Sequence, residues 1–213
     1  MKLKFTTLLL FSLLSGHIAS QNVTEAFSYK GNIYAQDGKI YFHQVTKSGL
    51  DTLPSLSKDR HFLIYLRHQQ SGEINLTQII RYDLRTSTEE VLVQASEDNP
   101  NVSTSISYAN SDNYPFSCLG DIMNMKLSPD NERIYFETTA WTVSHAIHYY
   151  VISTGQIYFF HSGDLNKIYP NGMLNIQTTD LAFDKKGNSA RYVQYWLYDS
   201  DGKKIKPLSK RIF

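Results

Sequence analysis

Leu127-Ser128-Pro129-Asp130 stands directly before the strand-like run RIYFETT (133–139), and Leu56-Ser57-Lys58-Asp59 stands in the same way before FLIYL (62–66). A Ser-x-Asp turn ahead of an apolar run, present twice, constrains the fold more than any other feature. Ser and Asp side chains hydrogen-bond nearby backbone N–H groups and hold a tight reversal. The order after the turn also repeats. A second long run follows (IIRYDL; IHYYVI), then a short turn (RTSTEE; STGQ), then a short run (VLV; IYFF). Four antiparallel strands in a meander make one such unit. A third, weaker copy begins at Leu181, carries Asp184 and Gly187 in its turn, and continues through ARYVQYWLY (190–198) and IKPL.

The remainder of the chain agrees with an all-β fold. Past the first 20 residues no segment keeps a 3.6-residue apolar period over three turns. Runs of β-branched and aromatic residues recur instead, bounded by Gly, Asp, Asn and Pro. In QIIRYDL (78–84), Gln78, Ile80, Tyr82 and Leu84 fall on one face and Arg81 and Asp83 on the other, as a strand requires. HAIHYYVI (145–152) is apolar on both faces, which suits an interior strand covered on both sides.

LSPDNERIYF, with the later VISTGQIYFF, resembles the blade repeat of TolB-type, WD40-like β-propellers, a repeat shared by the propeller domains of prolyl-oligopeptidase-type peptidases. The resemblance covers about residues 51–213. That family's turn is usually Ser-Pro-Asp-Gly; here the Gly position holds Arg60 or Asn131, and Lys58 replaces the first Pro. The resemblance implies a propeller-like array of four-stranded meanders, with repeat units at about 51–95, 121–163 and 172–213. Ser57, Asp59, Ser128, Pro129, Asp130, Asp184 and Gly187 are its turn residues. GNIYAQDGKIYFH (31–43) reads as one more hairpin around Asp37-Gly38. Ser57 and Ser128 are 71 residues apart, against the 40–50 or so of a blade. Residues 95–120, rich in Ser, Asn and Asp, supply the excess as a long connection. Three units and a hairpin make three to four blades, at the low end of ring closure. A small closed ring, an arc that forms a homo-oligomer, and part of a longer propeller all fit this count.

Residues 1–20 read as a secretory signal peptide: Lys2 and Lys4, an apolar run from Phe5 to Leu14, then the small residues Gly16, Ala19 and Ser20. Their removal leaves 19 Lys and Arg against 20 Asp and Glu. A mature chain over 21–213, periplasmic or secreted and with no transmembrane segment, is the expectation. So balanced a charge argues against nucleic-acid binding. The single cysteine, Cys118, excludes an intramolecular disulfide framework and a Cys-rich zinc site.

No HExxH, GxSxG, P-loop or dinucleotide fingerprint is present. His145 and His148 are an inviting pair, but residues three apart on a strand face opposite ways. They do not chelate one ion together, and the sequence predicts neither a metal site nor a cofactor. The peptidases that share the blade repeat keep catalysis in a separate hydrolase domain, which nothing here resembles. Trp141, Tyr108, Tyr114 and His145 remain as candidate binding residues, on a face carrying loops 95–120 and 140–145. The function expected is a non-catalytic scaffold that contacts another protein or a cell-envelope component. Two alternatives stay open: a carbohydrate-active lyase or glycosidase using carboxylates and His in a central cavity, and a partial propeller without independent activity.

Overall fold

A computed structural model describes residues 23–38, 41–71, 74–95, 119–141, 144–183 and 189–212. They form fifteen strands in four antiparallel sheets, and no helix among them is long and apolar enough to cross a membrane. The first sheet has three strands, β1 (Val23–Tyr29), β2 (Asn32–Asp37) and β3 (Tyr41–Gln44). The second is a four-stranded meander of β4 (Asp51–Leu56), β5 (Phe62–Ser71), β6 (Ile74–Asp83) and β7 (Thr88–Gln94). The third repeats it with β8 (Ile122–Leu127), β9 (Arg133–Trp141), β10 (Ser144–Val151) and β11 (Gln156–Ser162). The fourth comprises β12 (Asp164–Ile168), β13 (Leu174–Phe183), β14 (Ser189–Tyr198) and β15 (Lys204–Ile212).

Two of these elements differ from the sequence expectation. The hairpin at 31–43 is the outer part of a three-stranded sheet, because β1 pairs along β2 and buries Val23. The fourth sheet starts at Asp164, ahead of residue 172, because the short β12 pairs with β13.

The sheets stack face to face through three apolar seams. Ile33 and Ala35 of the first sheet pack with Leu63, Tyr65, Ile80 and Tyr82 of the second. Ile64, Leu66 and Ile79 turn the other way and meet Ile122, Ile134 and Phe136 of the third. Tyr135 and Ile147 then meet Leu165, Leu174, Ile176 and Tyr198 of the fourth. Alternation along each strand thus feeds two seams at once, so successive sheets stack like blades. The far face of the first sheet has no such partner among the described residues. Phe27 stacks there on Tyr34 at 5.6 Å between ring centres and meets Phe42 edge-on at 5.4 Å.

The two Ser-x-Asp turns are built alike. Ser57 Oγ donates to Asp59 Oδ1 (2.6 Å) and accepts from Phe62 N (3.0 Å), while His61 N donates to Asp59. Ser128 Oγ donates to Asp130 Oδ1 (2.5 Å) and accepts from Arg133 N (2.9 Å), while Glu132 N donates to Asp130. The serine bond holds both carboxyl groups below their usual pKa. Arg60 and Asn131, at the position the repeat usually gives to Gly, take φ of +60° and +63°. Asn131 also serves the stack, since its Oδ1 accepts Lys58 N of the neighbouring sheet's turn (3.1 Å).

Candidate functional site

In an antiparallel meander the first and third turns share one end and the second turn shares the other with the link to the next sheet. The Ser-x-Asp turns therefore mark one end of the stack. The opposite end holds the connection at 45–50, the last residues of β5, β7 and β9, the first of β6, β8 and β10, and Gly163. Gly163 alone joins β11 to β12. Its N–H donates to His145 O (2.8 Å), its φ is +128°, and a Cβ there would lie 2.4 Å from Gln177 O. Only glycine fits a crossing this tight.

The crossing sets Asp164 beside His145, with 2.7 Å between Oδ1 and Nδ1. Asp164 Oδ2 accepts from Gln177 Nε2 (3.0 Å). Glu137 of β9, directly across from Ile147 of β10, completes the group: its Oε2 lies 3.6 Å from His145 Nδ1. The three side chains bring one donor atom each to within 4.8 Å of one another, so they are the described residues able to hold a metal ion together. Glu137 is 3% exposed. Its Oε1 accepts from Leu165 N and from Asn124 Nδ2, tying the inner strand of the fourth sheet to the third. Burial pushes its pKa up, opposed by these two hydrogen bonds.

A cavity of about 430 Å³ opens at the same end between the second and third sheets, lined by Leu50, His68, Gln69, Thr77, Asp121, Ile122 and Met123. Met123 is the cross-strand partner of Glu137, which puts cavity and cluster on neighbouring inner strands.

His145 lies in the cluster, facing the fourth sheet. His148 faces away from it, stacked on Phe136 at 5.6 Å with Phe159 edge-on at 5.5 Å. Trp141 is the last residue of β9, paired with Ser144, not a loop residue. Ladder pairing runs to the very end of β9. Tyr108, Tyr114, Cys118, Asp184, Gly187 and nearly all of 95–120 lie outside the described residues. Sequence reasoning did not single out Glu137 or Asp164. A signal for Glu137 existed: it stands nine residues after Ser128, where the preceding repeat has Leu66 nine residues after Ser57.

No protein-family model matches the chain, and no curated protein sequence matches it. Solved structures do. Dipeptidyl peptidase 4 of Porphyromonas gingivalis superposes with a TM-score of 0.50 and 16% identity, over 86% of this chain and 30% of that one. A protein assigned as TolB from Agrobacterium tumefaciens gives a TM-score of 0.52 and 17% identity, over 85% of this chain and 57% of that one. An oligogalacturonate lyase from Vibrio parahaemolyticus gives a TM-score of only 0.36 and 10% identity, over 86% of this chain and 60% of that one. The chain thus spans less than two thirds of the length of these structures. At such identities the likeness concerns architecture alone: this chain folds as an array of four sheets of the TolB-like β-propeller type.

Proposed function

We propose that the protein is an exported, non-catalytic binding module that contacts another protein or a cell-envelope component through the loop-bearing end of its sheet stack. The observation that carries this reading is the cavity between the second and third sheets. It mixes apolar walls (Leu50, Ile122, Met123) with hydrogen-bonding groups (His68, Gln69, Thr77, Asp121), the lining a partner residue needs for both burial and orientation. It also opens at the start of β8, where Asp121, Ile122 and Met123 line it. Substituting Asp121→Arg at the rim tests the idea. Capture of the native partner from the envelope fraction is expected to fall about tenfold or more, with the melting temperature unchanged. Undiminished capture by a folded D121R protein counts against it.

A carbohydrate-active enzyme is the second reading, favoured by the meeting of Glu137, His145 and Asp164. The near-complete burial of Glu137 and its two hydrogen bonds to the protein favour the binding reading over it. Turnover of a glycan panel that disappears in Glu137→Gln would reverse that order.

A further inference from the structure

Glu137 occupies a strand position that the preceding sheet fills with leucine, and a buried carboxylate there is costly without compensation. Only half of that compensation comes from the chain itself. Oε1 accepts from Leu165 N and Asn124 Nδ2, whereas Oε2 accepts no hydrogen bond from any described residue. Oε2 faces Nδ1 of His145 at 3.6 Å, and that nitrogen in turn faces Asp164 Oδ1. His145 and Asp164 are 37% and 36% exposed, so the group is open to solvent on their side and closed on that of Glu137.

From this geometry we infer that Glu137 Oε2, His145 Nδ1 and Asp164 Oδ1 form a three-ligand site for one divalent transition-metal ion, Zn²⁺ or Mn²⁺, with its remaining positions open to water. The inference does not depend on the binding-module reading. One imidazole and two carboxylates suit these ions better than Ca²⁺ or Mg²⁺, which take all-oxygen shells. Ligand atoms about 2.1 Å from a tetrahedral ion lie roughly 3.4 Å from one another. The Glu137–His145 separation of 3.6 Å already fits, and the 2.7 Å His145–Asp164 contact opens by about 0.7 Å as the ion enters between the two atoms.

The outer shell is in place too. Gln177 Nε2 holds the free oxygen of Asp164, and Asn124 Nδ2 with Leu165 N holds Glu137. Metal-binding carboxylates are usually fixed in this way. Lys126 is the nearby cation, and its Nζ is engaged by Asn124 Oδ1 at 2.6 Å.

Calorimetric titration of the tag-free protein with ZnCl₂ and MnCl₂, with MgCl₂ and CaCl₂ as controls, tests the site. The expected result is saturable uptake of one Zn²⁺ or Mn²⁺ per chain, weakened about tenfold or more by Glu137→Gln and by Asp164→Asn. Co²⁺ is expected to give a visible d–d absorption band that both variants lose. Asp164 is partly exposed, so D164N keeps the test decisive if E137Q folds poorly. No saturable uptake of either ion overturns the inference. So does uptake unchanged in D164N, or Mg²⁺ and Ca²⁺ binding as tightly as Zn²⁺ and Mn²⁺.

Discussion

Replacing Arg67 with Met is expected to destabilise the protein by about 3–5 kcal/mol and to lower its melting temperature by roughly 10 °C. Arg67 is the only described cation on Asp51, whose carboxylate is 0% exposed. The guanidinium grips it in bidentate fashion, with Nε on Oδ1 at 2.7 Å and Nη2 on Oδ2 at 3.2 Å. Its other edge holds both oxygens of Glu89, at 2.6 and 2.8 Å, and Nη2 reaches the Tyr65 hydroxyl. Methionine fills the stem volume but strands the Asp51 charge in a space closed to water. That unpaired charge is the main cost, since the exposed Arg81–Glu90 pair is of the kind that contributes 1 kcal/mol or less. The loss should be felt at the joint between the first two sheets, where Asp51 N also donates to Gly31 O (2.7 Å). Chemical denaturation of R67M and of R67M/D51N checks the cause. The double variant, which removes the stranded charge, is expected to recover part of the loss. Equal stability of the two would mean that lost packing, not the charge, sets the cost.

The second large effect concerns pH. His148 is 2% exposed between Phe136 and Phe159, and burial lowers its pKa from 6.5 to about 4. The folded chain therefore keeps this ring neutral while the unfolded chain protonates it below pH 6.5. The unfolded state binds the extra proton, so its uptake favours unfolding. The contribution of His148 is intact above pH 6.5 and is lost as pH falls from there toward 4. At about 1.4 kcal/mol per pH unit, the loss over that window is about 3 kcal/mol. His148→Leu keeps the volume roughly constant and carries no proton, so its stability should change far less between pH 7 and 4.5. The carboxylates of Asp59 and Asp130, held below their usual pKa, lose their contribution at lower pH and act in both proteins alike. Parallel denaturation curves for wild type and H148L across this range would contradict the assignment.

Much of the architecture was legible because it rests on local patterns. FLIYL and RIYFETT alternate toward two different seams, and IIRYDL turns Ile80 and Tyr82 to the first sheet. His145 and His148, three residues apart on β10, fall on opposite faces as strand parity requires. β12 escaped because DLNKI is short and half polar and owes its strand form to pairing with β13. β1 escaped for a similar reason: Thr24, Glu25 and Ser28 hide a strand that pairs with β2 and buries Val23. The Glu137–His145–Asp164 group was beyond local reading. Its members come from β9, β10 and the first residue of β12, and they meet only because Gly163 carries the chain from one sheet to the next in a single residue. A search for ligand pairs along one strand does not find a site assembled across a seam.

The central claim is that this stack of sheets works through its loop-bearing end. Site-specific photo-crosslinking in the living cell tests it most directly, with the reactive side chain placed either at Met123, in the cavity, or at Thr86, in the β6–β7 turn of the opposite end. The expected result is one discrete adduct from Met123, lost in the D121R background, and none from Thr86. Adducts from Thr86 alone, or equally from both positions, would contradict it.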